Sequence, residues 1–82
     1  MGVDIKVVKK EILEKASGQH LPLVAVADDD LVDMMLKEYF NPASKTPQDY
    51  AVTALSAAAS MSSIGGDISE TQVKTILDRY KP

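Results

Sequence analysis

Apolar positions recur along this chain at helical spacing, and the segments they define are bounded by capping residues. Ile5, Val8, Ile12 and Ala16 share one face of a predicted helix over about 4–17. Val7 and Leu13 widen that stripe, and Lys6, Lys9, Lys10, Glu11, Glu14 and Lys15 occupy the remainder as a solvated back. Asp4 caps the start and Gly18 supplies the stop. Glu11 and Lys15 are spaced for a helical ion pair of about 0.3–0.5 kcal/mol. A second helix is expected over about 28–40, where Asp28, Asp29 and Asp30 favour the positive end of the helix dipole. Leu31, Met34, Met35 and Glu38 share one side, with Val32, Leu36, Tyr39 and Phe40 widening the stripe. Asn41-Pro42 ends it, because the residue before proline is pushed out of the α region.

A third helix is expected over about 46–63, with Thr46 as hydroxyl cap, Pro47 at the first helical position and Asp49 three residues after the cap. No charge lies between Asp49 and Asp67, and a helix small and weakly polar on all sides belongs at the centre of a fold. Its Ala54/Ala58 and Ser56/Ser60 pairs permit close approach of neighbours. Ile64-Gly65-Gly66-Asp67 forms a stop and turn. Ser69 and Gln72 then open a fourth helix over about 69–80 as a capping box. Val73, Ile76, Leu77 and Tyr80 point inward there, and Glu70, Lys74, Asp78 and Arg79 outward.

The segment 21–27 has β character, but no second strand-like run exists to pair with it. Helix beginning near Pro22, or a short extended linker on the core, is the better reading, and a strand would require a dimer. The expectation is a single all-α domain over 1–82, a compact bundle of about four short helices.

At 82 residues the chain buries only about 60–65% of its unfolded surface, so the core is thin. Three Tyr, one Phe and no Trp make that core aliphatic. The absence of cysteine removes disulfides, thiolate ligands and a Cys nucleophile together. The first seventeen residues are charged throughout and lack the apolar core of a secretory leader, and no apolar run is long enough to span a bilayer. A cytoplasmic protein with no membrane partner is therefore expected. Nine basic against twelve acidic residues, with no basic stripe, disfavour nucleic acid.

His20, the only histidine, sits at a helix exit with no Ser or Asp motif to make it a base, and is read as a solvated loop residue. Asp28, Asp29, Asp30 and Asp33 diverge around a helix start, and no glycine-bearing loop gathers them for a cation. Gly66-Asp67-Ile68-Ser69-Glu70 resembles the second half of an EF-hand loop. In that register Met61, Ser63, Gly65 and Gln72 fall where ligands belong, so the resemblance implies at most a metal-free helical hairpin. Asp67 and Glu70 oppose an anion at the glycine pair, and no P-loop or dinucleotide pattern accompanies it. A helix-turn-helix reading fails on the long connection from Met61 to Ser69 and on Glu70 at the start of the last helix.

No catalytic or metal constellation and no cofactor site is therefore expected, and an enzyme is the least favoured class. The leading expectation is a non-enzymatic, regulatory or accessory protein–protein interaction module that acts as a homo-oligomer. Its contact surface would be Met34, Met35, Tyr39 and Phe40, since Met beside aromatics makes an adaptable surface. The alternative is a binder of a small anionic, nucleotide-like ligand, held between subunits by Lys6, Lys9 and Lys10 with Tyr39 or Tyr50.

Overall fold

The computed structural model describes residues 3–26, 29–62 and 66–80, and every element among them is helical. The helices are α1 (Ile5–Ser17), α2 (Leu23–Val26), α3 (Asp30–Phe40), α4 (Gln48–Ser60) and α5 (Glu70–Asp78). The all-α expectation stands, with α2 as a single turn in the ambiguous segment. Ala27, Asp28, Ser63, Ile64 and Gly65, on which parts of the sequence reading fell, lie outside the described residues.

Three of the expected boundaries are built as the sequence implies. The Asp4 side chain accepts from the Lys6 N–H, and Gly18 closes α1 in the left-handed region at φ 70°. At α5 both halves of the capping box form, Ser69 with the Gln72 N–H and Gln72 with the Ser69 N–H. At α3 the capping carboxylate is Asp29, which accepts from the Val32 N–H at 3.2 Å. The start of α4 differs. Pro47, not Thr46, is the capping residue, and no side chain caps the helix. The Thr46 hydroxyl instead donates to Glu38 at 3.0 Å, where an acceptor is available across the α3–α4 turn.

α1 touches every other described helix, whereas α4 touches α3, α5 and α1. α3 and α5 do not meet, and α1 and α4 form a wall between them. The central place expected for the alanine-rich helix is thus shared with α1. Ala51, Ala58 and Ala59 are buried on α4, which lets it approach its neighbours closely. The core is aliphatic, with Val8, Ile12, Leu13, Val32, Leu36, Leu55, Val73 and Leu77 fully buried. Val7, expected to extend the apolar stripe, is 40% exposed because α1 turns that side away from the core.

The α4–α5 connection is fastened at three points. Ser56 Oγ donates to the Ile68 carbonyl at 2.6 Å, and Ser60 Oγ both donates to Asp67 and accepts from the Ile68 N–H. The Asp67 N–H donates at 2.8 Å to the carbonyl of Ala16, near the end of α1. Gly66, at φ 103°, lies directly against that same peptide.

Candidate functional site

Two regions of the surface combine exposure with organised chemistry. The first is an open cavity of about 490 Å³ bordered by α1, α2 and α3. Its lining brings together Lys6, Lys9 and Lys37, the carboxylates Asp30 and Asp33, and the apolar Leu23, Val24 and Val26. Lys9 is only 2% exposed, a correction to the solvated back expected for α1. The helix turns this position toward α3, where the aliphatic stem is buried and the ammonium faces the Asp29 carbonyl and Asp33 Oδ1. Both of those distances are 3.5 Å, long beside the roughly 2.7–2.9 Å of a charge-assisted bond. Lys37, one turn after Asp33, holds the other carboxylate oxygen at 2.8 Å.

Lys6 and Lys9 therefore meet at one cavity, but Lys10 does not join them. Its ammonium turns along α1 to Glu14 at 3.1 Å. The helical ion pair on α1 is thus Lys10–Glu14, while Glu11 turns to α5 and takes Arg79 and the Tyr80 hydroxyl. Glu14 also accepts from the Leu21 N–H at 2.7 Å, which ties the α1–α2 turn to α1. His20 is exposed as expected, with Nδ1 3.3 Å from the same carboxylate. A wider groove of about 660 Å³ runs between α1 and α5 past these groups; Glu11, Glu14, His20 and Arg79 along it are engaged with one another or with neighbours, and Lys15 also lines it.

The second region is the outer face of the α3–α4 hairpin. Met34, expected at a contact surface, is 55% exposed, and Leu31 beside it is open as well. Met35, Tyr39 and Phe40 are half-buried and pack against the core. Tyr39 and Phe40 meet edge to face, with centroids 4.9 Å apart. The four residues therefore do not form one free surface: three of them support the fold. On α4 and its C-cap, Tyr50, Ala54, Ala57 and Met61 fall within about 60° of one another around the helix axis. Tyr50 and Met61 are 66% and 77% exposed. Asp33 turns one flank of α3 toward α1, and Ser56 and Ser60 turn one flank of α4 toward α5. Leu31 and Met34 on α3, with the Tyr50–Met61 stripe on α4, occupy the opposite flanks. The stripe was legible at i, i+4, i+7 and i+11; no sequence signal indicated the pairing of Lys9 with α3.

At the hairpin tip the Glu38 carboxylate accepts from the hydroxyls of Ser44 and Thr46. Those donors hold its pKa below the ordinary carboxylate range. Asp33 is lowered by its bond from Lys37, and Glu14 by the Leu21 N–H and then Lys10. A carboxylate with a lowered folded-state pKa stabilises the fold above its unfolded value, and that contribution is lost as pH falls through the lowered one. The urea midpoint is therefore expected to decline below about pH 4. Glu14→Gln and Glu38→Gln should each flatten that decline. A midpoint constant from neutral pH to about pH 2.5 would contradict the assignment.

Among the described residues no group of three or more His, Cys, Asp or Glu side chains could hold a metal ion. No described helix is long and apolar enough to cross a membrane. Compared with protein families, curated proteins and solved structures, the chain matched none.

Proposed function

We propose that the protein is a non-enzymatic helical interaction module that associates with a second copy of itself through the outer face of the α3–α4 hairpin. The observation that carries this reading is the uncharged stripe of Tyr50, Ala54, Ala57 and Met61, exposed except for the half-buried Ala54, with Leu31 and Met34 open on α3. Large apolar side chains at helical spacing beside small ones resemble the interior of a helix–helix contact. Ala54 and Ala57 would let two α4 helices approach closely, and Met34 and Met61 can adapt to the seam. A second copy is favoured over an unlike partner by charge. α4 has no charge from Tyr50 to Met61 with which to select an oppositely charged protein, and the same face repeated about a two-fold axis meets an equally uncharged one. A regulatory or accessory role is the use to which such a module would be put.

Light scattering after size exclusion, over a wide concentration range, tests the proposal. A dimer is expected. Met61→Glu and Tyr50→Glu, both at exposed positions, should leave the helical signal intact and weaken association about tenfold or more by placing a carboxylate in an apolar seam. A monomer at every concentration, or a dimer indifferent to both substitutions, would overturn it.

A further inference from the structure

We infer that the cavity between α1, α2 and α3 is a binding site for a small monoanionic amphiphile, a carboxylate carried on an aliphatic body, with Lys9 as its anion-binding residue. This site lies within one chain, away from the hairpin face, and does not depend on association.

The argument starts from the state of the Lys9 ammonium. A lysine buried to this degree requires close partners, because its charge has left water. Its two partners stand at 3.5 Å, and the carboxylate among them is committed more closely to Lys37, at 2.8 Å. Lys9 lines the cavity with two of its three N–H donors spent on these long contacts and one left to place. A carboxylate bound in the cavity would take that remaining donor.

The charge of the ligand follows from the lining. Among the described lining residues, Lys6, Lys9 and Lys37 against Asp30 and Asp33 leave one positive charge, which suits a single negative charge better than a phosphate dianion. Its apolar part follows from the other wall. Leu23 and Val24 are 49% and 78% exposed on a one-turn helix that packs only against α1, and Val26 is buried beneath them. An aliphatic chain lying along Leu23 and Val24 would remove that surface from water while its head group reaches Lys9. The volume of about 490 Å³ accommodates a ligand of this size.

The test is a titration of the whole protein with octanoate, followed by amide resonances in two-dimensional NMR. Saturable shifts are expected at Lys9, Leu23, Val24, Val26 and Asp33. 1-Octanol, which has the tail without the charge, and inorganic phosphate, which has charge without the tail, should each bind about tenfold or more weakly. Lys9→Met should weaken octanoate by a similar factor. Val24→Asp, at an exposed position and so tolerated by the fold, should do the same by placing a carboxylate on the apolar wall. If Lys9→Met does not fold, Val24→Asp decides the question alone. Absence of saturable shifts at these residues would overturn the inference. So would octanol or phosphate binding as tightly as octanoate, or folded variants binding as the parent does.

Discussion

Gly66→Ala is expected to destabilise the fold by about 3 kcal/mol or more, a large part of the total available to a chain of this length. Three costs coincide at this position. Gly66 has φ 103°, which an L side chain rarely adopts. A Cβ there would overlap the Ala16 carbonyl and press on Ser17, and these are backbone atoms that cannot rotate away. Moving the loop outward would in turn stretch the 2.8 Å bond from the Asp67 N–H to Ala16, worth about 1 kcal/mol. Gly18→Ala provides the control. Gly18 also has positive φ, but open space surrounds it, so only the backbone cost of about 1 kcal/mol applies. Urea denaturation should separate the two clearly. The melting temperature should fall by more than about 12 °C for Gly66→Ala. Equal effects of the two substitutions would show that the approach to α1 contributes nothing.

Leu55→Ala is expected to cost about 3 kcal/mol, within the range of about 2–5 for a buried leucine. Leu55 is fully buried on the inward side of α4, and in an aliphatic core this thin few neighbours can collapse into the space it leaves. Leu31→Ala, by contrast, should change stability by no more than about 0.5 kcal/mol, because Leu31 is half open to solvent. In the proposed dimer Leu31→Ala should register in association instead. Denaturation at low protein concentration, below the association range, reads the two effects apart. A loss under about 1 kcal/mol for Leu55→Ala would mean that this part of the core rearranges freely.

These pairs show where the sequence was informative. Helix ends were legible because their determinants are local. Asp4, Gly18, Ser69 and Gln72 each act on backbone within a few residues, and each does so in the fold. Thr46 was misread by the same logic, since its hydroxyl had a competing acceptor in Glu38, eight residues away. Orientation was legible only in part. Leu31 and Val32 are adjacent and equally apolar, and the assignment of one to solvent and the other to the core depends on where α1 and α4 lie. Lys9 is the clearest case. Among six charged residues on α1 nothing distinguished it, because its burial is set by Asp33 on a helix 24 residues further along. Of the lysines expected to gather, two share a cavity and the third turns to Glu14, a choice again made by packing. The four residues expected at a contact surface divide for the opposite reason. Met35, Tyr39 and Phe40 were apolar enough to bind a partner, and the fold used them first.

The central position of α1 has a consequence for biosynthesis. All the described helices that cover it follow it in the chain, only the single turn of α2 closely, and the bond that seals its last turn comes from Asp67. During translation α1 therefore emerges with Val8, Ile12 and Leu13 uncovered, while the α3–α4 hairpin can close from neighbouring sequence. The part of the molecule that organises the rest is thus the part that waits longest for its partners. A chaperone that recognises short apolar helices would find its binding segment there.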